Sequence, residues 1–439
     1  MSPTRREILG WGALALGGAT IAACSSGGSN SAPSPSSTGN VTDAQSLAAL
    51  ALWTAQQGAN AGSYGIGGAL VENATGRVLQ TMPNRVFKTL SASVAETSGS
   101  TFVQDPTAHG ERQLMSWYLA NRDAQSLPAP EQLTVVTSLD PCLMCASSIM
   151  TAGVNVGVIA PDDYSGVNYD NSVAFTDLPE PLRGMAKATF GYYAVDGVRA
   201  FSGSDRIAYA SGQVDKDTYQ QCTDLYSSSA ATVRGSRSEA DTSPTKLTNP
   251  AKNVAAVDLI RAFQVVYPDA FRVAIPDGRR PTRAVYDALV DLVRATPGST
   301  NAVGFLDPFG NLITAAADQQ HINRLSTAFA LCTRAYAQTR YALVNSPATA
   351  SLARQSVTNP TFGTFVFLIA PDPSTPEGMF DYGAYGSTMG TAASPYIPSA
   401  FQYYELPEGV SERALQDVVL PLPPLYSANI KMQPQRVVA

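Results

Sequence analysis

The chain has 439 residues, 44% of them hydrophobic and 15% charged, a balance that excludes a disordered chain and implies two to three folded domains. With 29 Lys and Arg against 35 Asp and Glu the formal charge is -6. There is therefore no overall basic field for a phosphate backbone, and a nucleic-acid partner is not expected.

Residues 1–24 read as a targeting segment. Arg5 and Arg6 stand just before the apolar run 8–23, as in a twin-arginine export signal. Ile21-Ala22-Ala23-Cys24 has the form of a lipoprotein box, in which Cys24 becomes the acylated N-terminus. The run is short for a membrane span. Residues 25–42, rich in Ser, Gly and Pro, read as a flexible tether. This places the body of the protein in a bacterial cell envelope, lipid-anchored on the outer face of the cytoplasmic membrane.

Asp43 to Asn60 has helical periodicity. Strands are expected at Gly67–Glu72 and Gly76–Met82, and the Ser-, Thr- and Ala-rich stretch Val86–Gln104 reads as a loop at the mouth of a pocket. A helix from His109 to about Ala120, a strand at Leu133–Thr137, a helix ending near Gly153 and a strand at Val154–Ala160 follow. A further strand is expected near Ala186–Tyr193. The alternation predicts an α/β fold of three α/β/α layers around a mixed sheet.

The chemistry concentrates in His109-Gly110-Glu111 and Pro141-Cys142-Leu143-Met144-Cys145. A catalytic zinc takes three protein ligands and keeps a fourth position open. His109, Cys142 and Cys145 supply that count, and cysteines three apart face one side of a helical turn. Pro141 suits the start of that helix, whose dipole favours thiolate over thiol. Glu111, two residues from His109, is placed to carry protons. A CxxC alone would equally suit a redox pair or a structural zinc site. A redox pair has no use for the upstream His-x-Glu, and a closed structural site needs a fourth ligand. The other histidine, His321, reads as a structural or surface residue, and Cys222 and Cys332 as buried apolar side chains with no favoured disulfide.

The segment Asp105–Glu111 with Pro141–Cys145 resembles the zinc-dependent cytidine deaminase superfamily, and within it the guanine, cytosine and tRNA-adenosine deaminase branch. The resemblance implies Zn2+ as cofactor, Glu111 as the catalytic proton carrier that is not itself a ligand, Asn84 as a substrate-binding side chain and Ala69 as a source of backbone contacts. Gly110 stands where the family most often has Ala, a change expected to cost little at a helix start.

The zinc domain is expected over 43–232, followed by a polar linker over 233–252. A second, degenerate deaminase-like domain is then expected over 253–425, with an extended tail over 426–439. Ala302–Thr314 reads as strand, turn and strand, echoing Ala69–Gln80, and Ser326–Tyr336 can be laid over Ala108–Tyr118. In that register Thr327 replaces His109 and Phe329 replaces Glu111, and no CxxC follows the strand Gly363–Leu368, so this copy is metal-free. Such patterns also arise in unrelated α/β domains. If it is a repeat, the second half is a fused partner in an intramolecular pseudo-dimer; a homodimer is the other arrangement.

The expected function is hydrolytic deamination of a small nucleobase, nucleoside or related amino-heterocycle. The alternative is a catalytically inactive, surface-anchored binding or scaffolding protein that keeps the metal.

Overall fold

The computed structural model describes residues 39–238, 244–390, 400–430 and 432–439; Arg5, Arg6, Cys24 and nearly all of the tether lie outside the described residues. The described fold begins at a capping box. The Asp43 carboxylate accepts from Ser46 N at 2.7 Å while Ser46 Oγ accepts from Asp43 N, which starts α1 (Ala44–Asn60).

Strands β1 (Gly67–Glu72) and β2 (Val78–Pro83) form an antiparallel hairpin, with a bulge between Leu70 and Val71. Next come β3 (Phe87–Thr89), β4 (Thr101–Val103), α2 (Gly110–Asn121), β5 (Leu133–Leu139), α3 (Leu143–Ala152) and β6 (Asn155–Ala160). Then follow α4 (Glu180–Thr189), β7 (Phe190–Tyr192), β8 (Ala194–Val195), β9 (Ser202–Gly203), β10 (Gln213–Val214) and α5 (Lys216–Ser236). The sheet order is β2-β1-β5-β6-β7-β9, parallel from β5 to β7. Side chains alternate between faces. Ala69, Val71, Val136 and Ile159 pack with α1 and Cys222 of α5, whereas Leu70, Val135, Val156 and Val158 pack with α2, α3 and α4. These are the three layers expected.

Two local expectations are corrected. Of the strand expected near Ala186–Tyr193, Ala186–Thr189 is the last turn of α4, which has Pro181 as its second residue, and only Phe190–Tyr192 is a strand of the sheet. The stretch Val86–Gln104 contains an antiparallel hairpin, β3 with β4, docked on the second half: Arg340 lies over the Phe102 ring at 4.7 Å and Tyr341 Oη donates to Thr89 O.

The second half has α6 (Val257–Val266), α7 (Arg283–Ala295), β11 (Ala302–Leu306), β12 (Leu312–Ala317), α8 (Ala328–Val344), α9 (Ala350–Ser356) and β13 (Thr364–Ile369). It ends with α10 (Pro376–Gly390), β14 (Ala400–Glu405), α11 (Glu412–Val419) and β15 (Pro434–Arg436). Its sheet runs β12-β11-β13-β14-β15, with antiparallel and parallel pairings in the order of the first sheet. Details recur as well. A bulge falls between Phe305 and Leu306, one residue before the hairpin turn as in β1. Tyr118 Oη donates to Pro128 O and Tyr336 Oη to Thr358 O, each tying the helix to the loop before the next strand. Thr327 stands at the N-cap of α8 as His109 does at that of α2, although only Thr327 accepts a capping hydrogen bond with its side chain. The segment expected as an extended tail instead adds β15 to the edge of this sheet, because its backbone pairs in parallel with β14.

Where the first half has metal donors, the second is filled. Phe329 stacks on Phe367 and meets Phe365 and Tyr385 edge-on or tilted, while Thr327 donates to buried Asp381 at 2.5 Å. Burial pushes the Asp381 carboxyl up to about 8, against the pull of that hydrogen bond. Its folded-state value thus lies above the unfolded one, so its stabilising contribution is full below about pH 4 and is lost as pH rises through 8. Replacing Asp381 by Asn is expected to flatten the decline in Tm between about pH 6 and 8.5. Asp140 and Asp177, also raised to about 8 by burial, keep some slope. An unchanged slope in melting curves would remove Asp381 as a contributor.

The halves meet through α3 and α10. A Cβ on Gly383 would lie 2.2 Å from Met144 N, so the helix backbones touch with no side chain between them. The contact is isologous in the sense of a two-fold. Pro106, three residues before His109, accepts from Ser387 of α10, and Arg324, three residues before Thr327, donates to Thr151 O of α3.

Candidate metal centre

Two helix starts converge on one point. His109 is the N-cap of α2 and Cys142 the N-cap of α3, both with extended backbone, and Cys145 lies in the first turn of α3. The loops before them are held by buried polar groups. Asp105 Oδ1 accepts from Thr107 N and Oγ1, and Arg112 Nε donates to Thr107 O. Asp140 accepts from Tyr192 Oη and Asn168 N just ahead of Pro141.

His109, Cys142 and Cys145 each offer one ligand atom, and these atoms all lie within 4.8 Å of one another. His109 Nδ1 is 3.5 Å from Cys142 Sγ. Tetrahedral zinc, with Zn–S about 2.3 Å and Zn–N about 2.0–2.1 Å, sets an N···S spacing of about 3.6 Å. The donors fit zinc in kind, number and spacing. The Cys145 thiol hydrogen-bonds Cys142, which with His109 nearby holds the Cys142 thiol well below its ordinary value. Burial raises Cys145. For His109, burial works downward, yet the Cys142 sulfur outweighs it and the imidazole is raised.

Glu111 is 2% exposed. Its Oε1 is 3.0 Å from Thr137 Oγ1 and its Oε2 3.4 Å from Cys145 Sγ, so the carboxyl lies against the donor set without being counted in it. Burial, then the Cys142 charge, raise it above the usual carboxylate range. Asn84 is fully buried; its Oδ1 accepts from Ser63 Oγ and Val86 N, while its Nδ2 has no partner among the described residues. Ala69 is at the centre of β1, paired with Val136 and Thr81. His321 is exposed, and Cys222 and Cys332 are buried and unpaired.

The expectation that Gly110 is of little consequence is corrected. A Cβ there would lie 2.4 Å from Met82 O and 3.4 Å from Gly67 Cα, so this helix start sits too close to the first hairpin for a side chain. Sequence reasoning also missed the second half's share. Ser387 Oγ is 3.0 Å from His109 Nε2. Tyr426, 1% exposed, packs its ring where a Gly386 side chain would be, and its phenol, raised by burial and the adjacent thiol sulfurs, hydrogen-bonds Cys142. Neither residue has a neighbour in sequence that marks it.

Residues 41–160 match the model of the family described as the cytidine and deoxycytidylate deaminase zinc-binding region, and this match includes His109, Glu111, Cys142 and Cys145. No curated protein matches the chain. Among solved structures it is similar to a guanine deaminase from Nitrosomonas europaea, at 17% identity and a TM-score of 0.29 over 44% of this chain and 88% of that one. A structure from work on tRNA:A34 deaminases acting at the wobble position gives 18% identity and a TM-score of 0.26 over 41% and 97% of the two chains. A third, NE0047 in complex with 2,6-diaminopurine, gives 19% and 0.27 over 42% and 80%.

Proposed function

We propose that the protein is a zinc-dependent hydrolytic deaminase of a small nucleobase, nucleoside or related amino-heterocycle, exported and lipid-anchored through Cys24. The observation that carries this reading is the placement of Glu111, a buried carboxyl against the three zinc donors. His109, Cys142 and Cys145 would hold the metal, which supplies a water whose proton is lost near neutral pH. Glu111 would take that proton and deliver it to the substrate ring nitrogen as the oxygen adds to the amine-bearing carbon; it would then carry the proton of the added hydroxyl to the amine, so that the C–N bond breaks, ammonia leaves and a carbonyl remains. The unpartnered Asn84 Nδ2 is free to donate to a substrate acceptor, and Ala69 would add backbone contacts. The zinc-free half acts as a built-in dimer partner.

The test is ammonia release by the zinc-loaded protein against guanine, cytosine, adenine and their nucleosides. Silence across the panel with full zinc occupancy would overturn the substrate class. Anchoring is checked separately: labelled fatty acid should enter the wild-type chain and not Cys24→Ala, and equal labelling would refute the lipoprotein reading.

One observation favours a second reading. Tyr426 covers Cys142 from the second half, as a metal-keeping binding or scaffolding protein with a closed site would require. Glu111-dependent ammonia release eliminates it.

A further inference from the structure

We infer that Ser387, on the zinc-free half, is a positioning residue for His109 that selects the imidazole tautomer presented to the metal. Ser387 is 7% exposed, and its Oγ lies 2.6 Å from Pro106 O and 3.0 Å from His109 Nε2. A serine hydroxyl has one proton. A proline carbonyl only accepts, so that proton goes to Pro106 and the Oγ must accept from His109. Nε2 therefore carries the ring hydrogen, and Nδ1, the nitrogen 3.5 Å from Cys142 Sγ, presents its lone pair to the metal.

The placement depends on the packing between halves. Gly383 lies four residues before Ser387, on the same face of α10, and its missing side chain lets that helix settle against α3. Hydroxyl, carbonyl and imidazole thus meet only when the two halves are docked. Partners that orient a metal-bound imidazole are worth about 10–100-fold in metal affinity. The second half then does more than fill space, since it supplies the hydrogen-bond acceptor for His109 Nε2.

The inference rests on the metal centre and not on the substrate, so its tests use no turnover. With two histidines in the chain, nitrogen NMR of the zinc-loaded, 15N-histidine-labelled protein resolves His109 from His321. The expected pattern is a protonated Nε2 and a metal-bound Nδ1; a protonated Nδ1 overturns the inference without any mutation. In competition with a chromophoric chelator, Ser387→Ala is expected to raise the zinc dissociation constant about 10–100-fold. Ser387→Thr, which keeps the hydroxyl, is expected to stay within a few-fold of wild type. Equal affinities in all three proteins, or equal losses in both variants, refute the role of the hydroxyl. Ammonia release can fail on every substrate while these results stand, which separates this inference from the proposed activity.

Discussion

Glu111→Gln is expected to bind zinc as wild type does and to lose about 10²–10⁴-fold in turnover, the usual worth of a positioned proton carrier. Gln keeps the shape of the side chain and an oxygen to accept from Thr137 Oγ1, so the loop and α2 have no reason to shift. His109, Cys142 and Cys145 are untouched, and metal content measured by elemental analysis should remain one zinc per chain. What is lost is a group able to take and return a proton beside the three metal donors. Burial and the Cys142 sulfur raise the Glu111 carboxyl, as suits a group that must hold a proton part of the time. A variant with near-wild-type turnover would sink the mechanism; one that also lost its zinc would show that Glu111 serves the site structurally.

Gly383→Ala should strongly destabilise the contact between the two halves. The added Cβ would sit 2.2 Å from Met144 N and 2.5 Å from Met144 Cα, and the backbone of a buried helix turn cannot step aside as a side chain can. Helix α10 must move off α3, at a cost of about 1–3 kcal/mol or more. That outweighs the roughly 0.5–1 kcal/mol that Gly-to-Ala otherwise contributes inside a helix. The movement also carries Ser387 away from His109, so zinc affinity falls with stability. Gly390→Ala on the same helix is the control, since its new Cβ meets nothing nearer than 3.5 Å. Melting curves should show Gly383→Ala clearly below wild type and Gly390→Ala at or above it. Equal melting temperatures for the two would mean that the helices are not in backbone contact.

Much of the framework was legible because it is local. Helix α1 carries its capping box at Asp43 and Ser46, β1 and β2 flank a turn, and the register that sets Thr327 on His109 holds at the helix caps. The departures are places where distant chain decides. Val86–Gln104 looks like a polar loop until Phe102 and Thr89 find Arg340 and Tyr341 of α8. Residues 434–436 are too short to read as a strand, and are one because β14 offers them an edge. Gly110 reads as a neutral exchange until the approach of Met82 O is known.

Sequence by itself determined the donors and their chemistry. His-x-Glu and Pro-Cys-x-x-Cys are each local to one helix start, and they set the kind and number of the ligand atoms that the fold brings within 4.8 Å of one another. It determined as well that the second copy has no such donors, since Thr327 and Phe329 occupy their places. Only the tertiary structure decided that this copy completes the site. Ser387 and Tyr426 reach His109 and Cys142 across 278 and 284 residues of chain, through a helix contact that requires a missing side chain at Gly383. A serine or tyrosine has no periodicity or spacing that announces such a partner, because the contact arises from the packing of two whole halves.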